Sequence, residues 1–141
     1  MYNELRNLEQ CDTNFICDIK CFANPHIDRD YTIVFHDPKF RSKCPVTEMY
    51  DYAEVKVTYH PYERCMELIS LRKYLRSFHD RFISHEATAH KILNDIMDSC
   101  DPRILKVEIV WEVVDGTRTS ILVTDINWRK PQKNGESTSK D

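Results

Sequence analysis

Glycine is nearly missing from this chain: 141 residues contain two, Gly116 and Gly135. Phosphate loops and dinucleotide fingerprints need closely spaced glycines so that backbone amides can approach phosphate. These two cannot supply either motif, so a nucleotide cofactor, if used, is held by other means. The six cysteines include no Cys-x-x-Cys pair, which leaves a zinc ribbon or a thioredoxin-type redox centre without support. Cys11, Cys17 and Cys21 with His26 are ligand types for zinc, but their spacings match no common structural zinc pattern. There is no run of about 18 apolar residues, so no transmembrane helix is expected. The first residues, Met1-Tyr2-Asn3-Glu4-Leu5-Arg6, lack the apolar stretch of a secretory signal. The cytoplasm is the expected compartment, with the cysteines as free thiols. Neither sign of charge dominates: 20 Lys and Arg face 23 Asp and Glu, for a net charge of −3. A broad basic surface for nucleic acid is not expected, although a local patch stays open.

What is present suits one globular domain. Hydrophobic residues make up 41% and charged residues 30%, an ordinary balance for a soluble protein. Residues 1–21 read as an irregular N-terminal segment, 22–128 as a single domain, and the polar run 129–141 as a disordered tail. Arg29 to His36 is rich in β-branched and aromatic residues and predicts a strand, closed by Asp37-Pro38. Phe40 to Tyr50 reads as a loop. Tyr52 to His60 alternates, with Ala53, Val55, Val57 and Tyr59 on one face, which predicts a half-buried strand. Leucines at helical spacing predict a helix over Met66 to His79. A second is expected from about His85 to Ser99, with Ser84 as N-cap. Ile104 to Val114 and Thr117 to Ile126 predict a closing hairpin around Asp115-Gly116. The order β-β-α-α-β-β defines an α+β antiparallel sheet with two helices on one face. Its open edges call for a partner, and a homo-oligomer is expected.

Three groups of residues could carry chemistry. Cys44 sits between two predicted strands with Arg41 and Lys43 nearby, and cations beside a thiol favour its thiolate. Asp51 follows seven residues on, close enough to protonate what a nucleophile creates. The plain alternative is a loop cysteine and a strand-initiating aspartate. His85-Glu86 opens the second helix. An imidazole exchanges protons near neutral pH, and a carboxylate can accept two hydrogen bonds from the N–H edge of a guanine-like ring. Alternatively, Glu86 only complements the helix dipole, and Glu67 does the same for the preceding helix. Arg72, Lys73 and Arg76 form a basic face that is either solvated or meets phosphate.

These groups coincide in one pattern. Cys44-Pro45-Val46-Thr47 with Asp51 resembles the active-site loop of the NADPH-dependent 7-cyano-7-deazaguanine (preQ0) reductases. His26-Ile27-Asp28-Arg29-Asp30-Tyr31, the helix Met66 to Leu75, Phe78 through His85-Glu86 and Asp101-Pro102-Arg103 are similar to segments of that family. The resemblance spans roughly residues 22–126 and fits the family's single-module form. It implies the tunnelling fold (T-fold), with subunits joining their sheets into a β-barrel ring and active sites between subunits. It implies a covalent thioimide on Cys44, Asp51 as proton donor, His85 as a further catalytic residue, and a base held by Met66, Glu67, Leu68, His85 and Glu86. The substrate would be a small-molecule 7-deazaguanine, with no metal and no direct contact with nucleic acid.

The chain departs from the family in three places. Glu48-Met49-Tyr50 stands where Gly-Gln-Pro is usual, Ile69 where a lysine is usual, and Asp115-Gly116-Thr117-Arg118 where an Arg-Gly-Gly turn is usual. The last two belong to cofactor handling, and Arg72, Lys73 and Arg118 are the cations left to meet NADPH. Three other fates fit the same residues: amination of the thioimide without NADPH, as in amidinotransferase relatives, its hydrolysis, or a non-catalytic purine-binding T-fold module.

Overall fold

The computed structural model describes residues 17–127 together with Lys130 and Pro131. The proposed irregular segment therefore lies mostly outside the described residues, as do all but two residues of the proposed tail. Eight elements run in the order β1 (Cys21–Ala23), β2 (Ile33–Lys43), β3 (Tyr50–His60), β4 (Arg64–Met66), α1 (Leu68–Arg76), α2 (His85–Cys100), β5 (Ile104–Trp111) and β6 (Ser120–Ile126). The main sheet has four antiparallel strands ordered β2-β3-β5-β6, and β1 pairs with β4 in a second, two-stranded sheet. Strands β2, β3, β5 and β6 with the two helices reproduce the expected β-β-α-α-β-β order. The β1–β4 pair is an addition, because three-residue strands carry too little alternation to be read. The boundary expected at residue 22 falls inside β1, and Cys17, Ile19 and Cys21 pack against the core.

Alternation on β3 and β5 builds that core. Val55, Val57 and Tyr59 lie opposite Ile109, Val107 and Leu105, and all six are buried beneath the helices. Leu71, Leu75, Ile92 and Ile96 meet them from α1 and α2. The opposite sheet face exposes Glu54, Lys56 and Lys106 to solvent. β2 and β6 end the sheet, so each has one row of backbone groups facing outward.

β2 corrects the sequence reading. It was expected to stop at Asp37-Pro38, yet it continues to Lys43 through a bulge between Asp37 and Phe40. Proline is tolerated here because β2 is an edge strand and the bulge needs one fewer amide. Asp37 fixes the bulge: its buried carboxylate accepts from the Lys39 amide at 3.1 Å and from Arg76 Nη1 at 2.6 Å. That second bond also ties the last turn of α1 to the sheet.

The helix ends follow capping chemistry. Ser84 Oγ accepts from the Ala87 amide at 3.2 Å, as expected. Asp101 closes α2 in the left-handed region at φ 51°, and Pro102 follows. Asp115 and Gly116 both take positive φ, 53° and 76°. Val114 and Thr117 exchange two hydrogen bonds across them, at 2.9 and 3.0 Å, which is the expected two-residue turn.

Candidate active site

One end of the sheet carries Cys44 and Asp51, the expected nucleophile and the expected acid. The segment after α1 straps the end of β2: the Lys43 amide donates to Arg81 O at 2.8 Å, and Ile83 donates back to Lys43 O at 3.0 Å. Beyond it the chain folds into a tight loop. Cys44 N–H donates to Met49 O, and Glu48 N–H donates to Cys44 O, both at 2.8 Å. Cys44 is half-buried, and the Thr47 amide points at its sulfur at 3.5 Å. Ser42 pairs directly with Asp51. Cys44, two residues beyond Ser42 and just past the last residue of β2, thus stands at the same end of the sheet as Asp51. Arg41 and Lys43, the cations near Cys44 in the sequence, contact the Tyr50 ring, at 4.4 and 5.4 Å from its centroid.

His85, the first residue of α2, completes the group. Its Nε2 lies 3.2 Å from Asp51 Oδ2. Its ring stacks on Trp111, with centroids 3.9 Å apart and planes 16° from parallel. Trp111 ends β5 opposite Ala53, buried at 2% exposure. The sequence placed Trp111 only on the apolar face of its strand, since period-two alternation does not show which helix end it will meet. Asp51, His85 and Trp111 line a cleft of about 120 Å³ with Tyr50, Tyr52 and Thr119. Glu86 stands in the same first turn of α2 with its side chain exposed.

The second part of the predicted site lies elsewhere. Met66 is buried and its amide donates to Tyr59 Oη at 3.0 Å. Tyr59 is eight residues along β3 from Asp51, about 26 Å of extended chain. α2 gives the same ruler: its 16 residues set Cys100 about 22 Å from His85, and the Cys100 sulfur touches Arg64 O at 3.3 Å. Met66, Glu67 and Leu68 therefore occupy the opposite end of the subunit from Cys44. Glu67 is the N-cap of α1, its two carboxylate oxygens accepting from Ile69 at 2.6 Å and Ser70 at 2.8 Å. These amides hold its carboxyl below the usual carboxylate range. Leu68 is exposed.

The candidate cofactor residues are divided too. Arg72 and Lys73 are exposed on α1. Arg118 borders a larger cleft of about 530 Å³ with Lys39, Arg41, His79 and Trp111. Arg41 Nε and Trp111 Nε1 are buried donors without an acceptor among the described residues. Lys39, Arg41 and Arg118 are the cations on this cleft that could meet a phosphate-bearing ligand, with Glu54 and Glu112 on the same wall. Among the described residues no group of three His, Cys, Asp or Glu side chains could hold a metal ion. Cys17 and Cys21 are half-buried like Cys44. Cys65 and Cys100 are buried, and burial pushes the Cys100 thiol up to about 12.

A four-stranded antiparallel sheet backed by two helices, with a thiol and an Asp–His pair at one end, defines this protein as a T-fold subunit with a candidate active site at that end. The comparisons give the family. The sequence profile of the QueF-like proteins matches residues 50–130. The chain is 42% identical over 105 residues to the NADPH-dependent 7-cyano-7-deazaguanine reductase of Magnetococcus marinus, covering 74% of this chain and 82% of the relative. It is 37% identical to the reductase of the same name from Alkalilimnicola ehrlichii, covering 81% and 86%. The crystal structure of the archaeosine synthase QueF-Like in the apo form superposes with a TM-score of 0.63 over 67% of this chain and 92% of that one. At 22% identity that likeness speaks for the fold alone. The chain belongs to the QueF-like protein family.

Proposed function

We propose that this protein reduces the nitrile of 7-cyano-7-deazaguanine to the aminomethyl group, using NADPH and a thioimide on Cys44. The observation that carries this reading is the half-buried Cys44 thiol just past the end of β2, where Ser42 pairs with Asp51 and Asp51 meets His85. Relatives sharing 36–44% identity over 60% or more of their length bear the reductase name.

The residue chemistry follows from the geometry. Cys44 Sγ adds to the nitrile carbon, and the π electrons move to nitrogen. Asp51 takes the thiol proton and delivers it to that nitrogen, so the net change is addition of S–H across C≡N. His85 Nε2, 3.2 Å from Asp51, holds the carboxyl in line and shares its proton. Glu86 in the same helical turn offers two oxygens to the N–H edge of the base. When bound, NADPH supplies hydride to the carbon held on sulfur. Arg118, Lys39 and Arg41 on the larger cleft would hold its phosphates, with Arg72 and Lys73 contributed from α1. Trp111 borders both clefts, so cofactor and base would meet there.

The subunit is proposed to act only in a ring. A cleft of about 120 Å³ is below the 300–1,000 Å³ usual for a small-molecule site. Met66, Glu67 and Leu68 sit at the far end, where a neighbouring copy would bring them onto Cys44. The β2 and β6 edges provide the pairing surfaces. The substrate is a free base or nucleotide, in keeping with the net charge of −3. NADPH absorbance followed on addition of preQ0 tests the reading, with two molecules expected to be oxidised per nitrile. No oxidation with wild-type protein, or turnover by Cys44→Ala, would contradict it.

A further inference from the structure

We propose that Trp111 is a positioning residue for the proton-transfer pair, holding the His85 imidazole in the plane that keeps Nε2 on Asp51. The inference rests on the thioimide reading above. An imidazole at the start of a helix has one soft torsion that decides where Nε2 points. At His85 two contacts fix it: the 3.2 Å approach to Asp51 Oδ2 and the near-parallel stack on Trp111 at 3.9 Å. Only the second is independent of the pair's own proton. Trp111 is itself immobile. It is 2% exposed, it is paired to Ala53 in the sheet, and its amide donates to Thr119 O at 2.9 Å.

The indole is a costly choice for mere filling. Its Nε1 is buried without an acceptor among the described residues, a penalty that a phenylalanine of similar depth would avoid. What the indole adds is a broad flat face, and that face lies against His85. Asp51 is in turn half-buried between the Cys44 loop and His85. A turn of the imidazole would leave its carboxyl free to swing away from the nitrile nitrogen.

The test compares wild type, Trp111→Phe and Trp111→Leu by rapid mixing with preQ0, reading the rate of adduct formation on Cys44 and the affinity separately. Misplacing a reacting group by about 1 Å costs on the order of 10²-fold in rate. Trp111→Leu should slow adduct formation by about 10- to 100-fold beyond any change in affinity, Trp111 also bordering the cleft proposed for the base. Trp111→Phe, which keeps a ring but removes Nε1–H, should restore the rate to within about 3-fold. The stack also has a signature without substrate. His85 ring protons should resonate upfield in wild type and Trp111→Phe, and at ordinary imidazole positions in Trp111→Leu. Equal adduct rates in all three proteins would overturn the proposal. So would equal loss in both variants, or ordinary His85 shifts in wild type, a readout that survives even if the leucine variant does not fold. Absence of any adduct in wild type would instead overturn the thioimide reading, and this inference with it.

Discussion

At the scale of single residues, the loop that presents Cys44 carries a conformational burden. Glu48 adopts φ 63°, in the left-handed region where a β-carbon costs about 1–2 kcal/mol. Glycine escapes that cost but loses about 0.5–1 kcal/mol to extra freedom in the unfolded chain. Glu48→Gly is expected to raise stability by about 0.5 kcal/mol net, seen as a higher melting temperature with adduct formation retained. A lower melting temperature would mean that the Glu48 side chain makes a compensating contact. The thiols offer a second check. Cys44 is half-buried, Cys65 and Cys100 are buried, and Cys21 and Cys100 are held protonated by desolvation. Limited alkylation at neutral pH, read by peptide mapping, should modify Cys44 before Cys65 and Cys100. Equal labelling of the three would contradict the geometry.

At the scale of elements, α1 begins on a carboxylate. The Ile69 and Ser70 amides favour the ionised form of Glu67 and so depress its folded pKa. The unfolded chain therefore binds more protons as acid is added, and stability rises with pH through this window. The stabilisation is full above the ordinary carboxylate range and is lost as pH falls through the folded value. Glu67→Gln should melt below wild type at neutral pH, and the gap should narrow as the pH is lowered. A gap that stays constant would show that the charge on Glu67 does not act through the cap.

Much of this level was legible in the sequence. The alternation of Ala53 to Tyr59, the leucine spacing of α1, the Ser84 cap and the Asp115-Gly116 turn each have a local cause, and each is found. β2 was cut short because Asp37-Pro38 is a local stop signal. It is overridden by a tertiary contact, the Arg76–Asp37 bond. β1 and β4 escaped notice because they are short and are paired across 40-odd residues of intervening chain. Of the site, the Cys44 and His85-Glu86 segments were visible as motifs. The stack of Trp111 on His85 was not, since it depends on which helix terminus lands on which strand end.

At the scale of the whole molecule, the residues proposed for the site divide between two ends of one subunit. Cys44, Asp51 and His85 stand at one end of β3, and Met66 to Leu68 at the other. A homo-oligomer joining β2 and β6 edges would close both the sheet edges and the cleft. Light scattering at micromolar concentration should give a multiple of the 16.8 kDa chain mass, and a monomeric mass would contradict the assembly. Mixed oligomers offer a finer check. Cys44→Ala and Glu67→Ala proteins, each impaired alone, should regain partial activity when refolded together if each site draws on two copies.

The account depends most on the sulfur of Cys44. Intact mass spectrometry of the protein mixed with preQ0 alone should show one added substrate mass per chain, mapped to Cys44. Adding NADPH should return the chain to its starting mass while the aminomethyl product appears. An unchanged mass with substrate alone and without turnover, or an adduct that persists in the presence of NADPH, would contradict it.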